Sequence, residues 1–95
     1  MVSSLVLKNV ETNEEKEISI NAMFAYVGAD ANTSFIDIKG LLDDKGYIVV
    51  DSEMTTSIPG LFACGDCIKK NLRQVVTACG DGAIAAMSCV HYLNK

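Results

Sequence analysis

No run of apolar residues in this 95-residue chain reaches ten. A membrane-spanning helix needs about 20, so none is expected. Positive charge is also scarce: 8 Lys and Arg stand against 12 Asp and Glu, for a formal net charge of −4. An acidic chain gains nothing from counterion release, which removes nucleic acid from the expected partners. Histidine and proline occur once each, and no cysteine precedes Cys64. A zinc site would need two more clustered ligands beside Cys64 and Cys67, and Cys89 and His91 fall at the far end of a helical pattern. Residues 1–8 hold no apolar signal core, so a cytoplasmic protein with reduced thiols is expected. In that setting the sequon Asn32-Thr33-Ser34 has no meaning. What is present is a globular composition, 49% hydrophobic and 21% charged, with length for one small domain.

Residues 4–20 read as a β-hairpin. Ser4 to Lys8 is one strand, Glu11 to Glu15 a charged turn, and Lys16 to Ile20 alternates polar and apolar as a half-exposed strand does. Ala22 to Gly28 is nearly continuous apolar, the pattern of an interior strand covered on both faces. Small residues 29–34 form a loop, and Phe35 to Leu42 a short helical or irregular segment. Tyr47 to Asp51 predicts a short strand, with Met54 to Thr56 as its antiparallel partner. Pro59 and Gly60 force a turn, and Leu61 to Cys64 reads as a second buried strand. After a basic loop, apolar residues Val75, Val76, Ala78, Cys79, Ala83, Ala86, Met87, Val90 and Leu93 fall at helical spacing. One helix over residues 74–93 is expected, with Gly80 and Gly82 at a close packing contact. The expected class is α/β, or α+β for the isolated chain.

The two buried strands lack partners. Each wants neighbours on both sides, and parallel neighbours need crossovers of a dozen or more residues. The chain offers only the short Ile48 strand pair between them. The sequence therefore reads as pieces of a larger fold. The competing expectation is a compact α+β domain whose helix covers one sheet.

Several clusters could carry chemistry. Cys64-Gly65-Asp66-Cys67 has CxxC spacing, and such a pair exchanges disulfides when the first thiol opens a helix. Here the first cysteine ends an expected strand, which favours a small core residue; a small CxxC redox protein remains an alternative. Gly80-Asp81-Gly82-Ala83-Ile84-Ala85 matches a loose dinucleotide-loop pattern but lies inside the helix, where glycines for close packing are the better reading. His91, at the helix C-terminus, fits a capping or surface role. Lys69, Lys70 and Arg73 form a basic patch just before the helix N-terminus, which offers free N–H groups to an anion. Asp66 at the strand end can accept hydrogen bonds from ligand hydroxyls.

The run Ser57-Ile58-Pro59-Gly60-Leu61-Phe62-Ala63-Cys64-Gly65-Asp66, followed by Leu72-Arg73-Gln74-Val75-Val76-Thr77-Ala78-Cys79-Gly80-Asp81-Gly82, resembles the C-terminal flavin motif of bacterial-type thioredoxin reductases, members of the pyridine nucleotide-disulfide oxidoreductases. Residues 5–28 are similar to the end of that family's NADPH domain, so the resemblance covers essentially the whole chain. It implies the end of an NADPH-binding domain over residues 1–31 and the C-terminal part of an FAD-binding domain over residues 32–95. It implies that Asp66 bonds the ribityl chain of FAD, with Gly65 admitting close backbone approach. Arg73, Gln74 and Val75 would flank the isoalloxazine, and Gly28 would lie near NADPH. The implied enzyme is a cytoplasmic homodimer that passes electrons from NADPH through FAD to the disulfide of thioredoxin. The family's fingerprint glycines, NADPH phosphate loop and redox CxxC belong to segments outside this sequence, so these residues alone are expected to be inactive. The alternative from another class is a non-enzymatic module that associates through its uncovered strands.

Overall fold

The computed structural model describes all residues, 1–95. Strands β1 (Ser4–Lys8) and β2 (Glu15–Ser19) pair antiparallel, with Leu5 opposite Ile18 and Lys8 opposite Glu15. The hairpin turn closes on Asn9, whose side-chain oxygen accepts the N–H groups of Glu11 (2.8 Å) and Thr12 (3.1 Å). Helix α1 (Val75–Leu93) is capped by Asn94, one residue before the last. A single 3-10 turn, Gly65–Cys67, lies before it. The expected hairpin and helix are thus both present, the helix beginning one residue later.

The interior strands are not formed. Residues 22–28 carry no regular structure, and Tyr26 and Val27 are 92% and 98% exposed. Strand hydrogen bonds are made between segments, and this segment meets no neighbour to pair with. The expected strands at 47–51 and 61–64 shrink to isolated bridges, Leu42 with Ile48, Ile48 with Ile68, and Thr55 with Phe62. Met54 to Thr56 pairs with the segment after Pro59 rather than with Val49. Of the expected pairing only the bond from Asp51 N–H to Thr55 O (3.1 Å) is made, at a tight turn in which Asp51 Oδ1 accepts the N–H groups of Glu53 and Thr55, both at 2.9 Å.

Eight of 95 residues are buried, and the apolar ones (Leu41, Ile48, Met54, Ile68 and Ala85) form one cluster in residues 41–85. Ile48 is held to the 67–69 segment by Ile48 N–H to Cys67 O at 2.9 Å and Lys69 N–H to Ile48 O at 2.8 Å, and bridges Leu42 on its other side. Thr33 closes the near end of this lobe by donating to Gly46 O at 2.5 Å. The hairpin packs on none of it, so the helix does not cover the sheet and the compact α+β arrangement is not adopted. The Cα radius of gyration is 20.0 Å, against about 12 Å for a compact chain of this length.

Gly60 shows why the Pro-Gly turn needs its glycine. Its φ is +80°, and a Cβ there would sit 3.2 Å from the Tyr92 hydroxyl. That approach lets the Phe62 and Tyr92 rings meet edge to face, with centroids 6.0 Å apart. Gly80 and Gly82 have no such neighbour, so the close packing expected there is absent.

Ile68, 2% exposed, is the tightest apolar position together with Leu41. Ile68→Ala should lower the stability of this lobe by about 2–3 kcal/mol. Val10→Ala, at a 91% exposed position, should change it by less than about 0.5 kcal/mol. Urea unfolding followed by circular dichroism measures both, and equal effects would contradict the single-core description.

Candidate functional site

The site is the loop that joins the Thr55–Phe62 bridge to α1. Two backbone features shape it. Cys64 is extended (φ −150°, ψ 166°), and Gly65 at φ +83° reverses the chain into the 3-10 turn. Only glycine enters that region without strain. The turn's backbone is then tied to the helix by Asp81, the residue between Gly80 and Gly82. Asp81 Oδ2 accepts the Gly65 N–H at 3.1 Å and also meets the Lys70 ammonium in an ion pair. Lys70 donates in addition to Thr77 Oγ1 at 3.3 Å. Thr77 lies one helical turn before Asp81, on the same face, and accepts the Gln74 N–H at 3.1 Å. Lys70 and Asp81 were missed as a pair, and the 77–81 spacing was the available signal.

The basic patch is largely turned inward. Arg73 donates from Nε to Asp66 O at 3.2 Å and from a terminal nitrogen to Ile68 O at 3.3 Å. Its guanidinium carbon lies 3.9 Å from the Tyr47 ring centroid, a cation–π contact. Arg73 thus holds the loop by its carbonyls. Lys69 remains exposed and lies in the field of Asp43, whose carboxyl is held below the ordinary value chiefly by the Tyr47 N–H.

Asp66 is exposed and its carboxylate bonds to nothing in the chain. Gln74 caps α1 in an extended conformation (φ −144°, ψ 159°). Val75 and Val76, in the first turn, are 81% and 75% exposed, and their N–H groups have no intrahelical acceptor. Gly65, Asp66, Arg73, Gln74 and Val75 are therefore brought together around the loop and the helix start. Gly28 is not among them. It sits in the exposed 21–30 segment at φ +134°, with open space where a Cβ would go.

The cysteines differ from expectation. Cys64 and Cys79 are exposed, Cys67 and Cys89 half-buried, and all four are free. Cys64 is not a core residue, because no strand forms around it. His91 is exposed in the last turn of α1. It borders a cleft of about 420 Å³ between the Pro59 turn and the helix end.

The model of the pyridine nucleotide-disulphide oxidoreductases matches residues 2–82. The chain belongs to this family. Within it, the similar proteins are thioredoxin reductases. That of Treponema pallidum is 44% identical over 98 residues, and that of Bacillus subtilis 38% over 94. These alignments take in 98% and 99% of this chain and 30% of each relative. Among solved structures, thioredoxin reductase from Streptococcus pyogenes superposes with a TM-score of 0.78 at 41% identity, covering 97% of this chain and 30% of that one. The Lactococcus lactis enzyme gives 0.77 at 43%, covering 96% and 30%. The chain thus spans about 30% of the length of the relatives it matches.

Asp81 generates a pH prediction. Its carboxyl is held below the ordinary 3.8, first by the Lys70 hydrogen bond and then by the Gly65 N–H. A lowered aspartate contributes stability that is full above 3.8 and lost as pH falls through the lower folded value. Asp81→Asn should cost about 1–2 kcal/mol at pH 7, the scale of a charged hydrogen bond discounted for partial exposure. Urea midpoints measured down to pH 2.5 or so should show the gap between wild type and variant closing on acidification. A gap that is constant with pH would remove the ion pair from the account.

Proposed function

We propose that the chain is part of a thioredoxin reductase-type flavoprotein. Residues 1–31 would complete an NADPH-binding domain and residues 32–95 the C-terminal part of an FAD-binding domain. The observation that carries this reading is the turn at Asp66, a free carboxylate beside a helix start with unpaired N–H groups. The family membership and the thioredoxin reductase relatives support it. When bound, FAD supplies the two-electron relay between NADPH and a disulfide.

The residues present fit that group. The Asp66 carboxylate would accept from the ribityl hydroxyls, with Gly65 leaving room for the backbone to approach. The N–H groups of Val75 and Val76 would meet the ring's carbonyl-bearing end, since the Gln74 N–H is already taken by Thr77. The helix dipole there favours negative charge on a reduced ring. The exposed valine side chains would give that ring an apolar border, with Gln74 beside it at the helix cap. Arg73 would contribute by fixing the loop, its guanidinium being engaged with the Asp66 and Ile68 carbonyls. Gly28 would admit the nicotinamide cofactor without a side chain in the way. The partner would be thioredoxin or a related disulfide protein, and the whole enzyme a cytoplasmic homodimer.

Residues 1–95 can replace the matching segment of the Lactococcus lactis enzyme. That chimera should hold FAD and reduce disulfides with NADPH. Asp66→Ala within it should weaken FAD binding roughly 10- to 100-fold, the scale of charged hydrogen bonds lost, read by flavin fluorescence on dilution. Unchanged affinity would remove Asp66 from the site. The chain by itself, given FAD and NADPH, should leave NADPH absorbance unchanged; oxidation would show that it is active alone.

Association through uncovered apolar surface is a second reading, favoured by the exposure of Val75, Val76 and Leu93 on α1. It expects dye binding and a mass above that of one chain in light scattering. A clean monomer without dye binding counts against it.

A further inference from the structure

We propose that Cys64 and Cys67 form a reversible disulfide across the turn that carries Asp66, with a small soluble disulfide as the oxidant. The 3-10 turn begins at the residue after Cys64 and ends on Cys67. A tight turn of this kind brings its first and fourth Cα atoms within about 7 Å, and disulfides span about 4.4–6.8 Å between Cα atoms. Gly65, at φ +83°, supplies the reversal. The Cys67 thiol is already folded back over the turn, its Sγ 3.3 Å from Cys64 O. Cys64 is exposed, so a soluble oxidant reaches it first, and Cys67 waits half-buried behind it. No group of three or more metal-ligating side chains engages either thiol. Lys70 is paired with Asp81 and Arg73 is engaged with carbonyls, so neither cation competes for a thiolate at the turn.

The chemistry is thiol–disulfide exchange. The Cys64 sulfur attacks a disulfide RSSR, forming a Cys64–SR mixed disulfide and releasing one RSH. The Cys67 sulfur then attacks the Cys64 sulfur, forming the Cys64–Cys67 bond and releasing the second RSH. The two thiol protons leave on the two RSH molecules. Closure removes conformational freedom from residues 64–67, Asp66 among them. The inference stands on the turn alone and holds whether or not Asp66 meets a flavin.

Trypsin separates the two cysteine pairs, because residues 46–69 carry Cys64 and Cys67 while residues 74–95 carry Cys79 and Cys89. After equilibration of the whole chain in glutathione and glutathione disulfide, then alkylation, peptide 46–69 should lack the mass of two hydrogens and carry no alkyl group. The exchange constant in buffer should exceed that in urea by at least about tenfold, because the turn pre-positions the thiols. Cys67→Ser should leave a lasting glutathione adduct on Cys64. Full alkylation of both thiols, a link joining the two peptides, or equal constants in buffer and urea would each overturn the proposal.

Discussion

The ion pair between Lys70 and Asp81 is the contact on which the candidate site depends. One carboxylate on the second turn of α1 takes the ammonium of residue 70 and the main-chain N–H of residue 65. Two points of an otherwise irregular loop are thereby fixed to a rigid helix. Thr77 joins the same knot from one turn earlier, and Arg73 closes it from the other side through two carbonyls. In such a network each bond orients the next, so its members act together rather than as independent pairs. Loss of Asp81 would leave the Lys70 ammonium, 14% exposed, without its counter-charge.

The rest of the chain offers little else to hold that loop. Five apolar residues make the core, and none of them comes from the hairpin or from residues 21–30. Ordering a residue costs roughly 1–2 kcal/mol of backbone entropy, which burial must offset elsewhere. Residues 22–27 illustrate the failure to do so: they have the apolar pattern of a covered strand and remain open to solvent. Residues 1–95 align with about 30% of the length of the relatives they match.

What was legible in the sequence was what is local. The alternation at Lys16 to Ile20 and the helical spacing from Val75 to Leu93 each specify an element without reference to distant residues, and both elements form. The interior strands were not legible because their hydrogen bonds belong to pairs of segments. Ile48 illustrates the point: its apolar run marks it as strand, yet it finds single bridges to Leu42 and Ile68 and stops. The Lys70–Asp81 contact spans 11 residues of loop and helix: the spacing of Thr77 and Asp81 puts them on one helix face but does not say which loop cation meets that face. Cys64 was placed in the core for the same reason that residues 61–64 were read as a strand, and it loses that burial when the strand does not form.

Three aspartates around the loop show which of its groups folding has already engaged. Asp43 accepts main-chain N–H groups from Lys45 and Tyr47, both at 2.9 Å, and holds its own turn. Asp81 accepts from Gly65 and Lys70. Asp66 accepts from nothing. Arg73, the cation nearest in the chain's hydrogen bonding, donates to the Asp66 carbonyl instead of its carboxylate. Nor is Asp66 shielded, since Gly65 beside it has no side chain and the turn faces solvent. A carboxylate that stabilises no part of the fold, on a turn otherwise fixed at both ends, is free to bind without breaking any existing contact. Its acceptor-only chemistry selects donors, and hydroxyl groups meet that requirement without the charge neutralisation that a cation would bring.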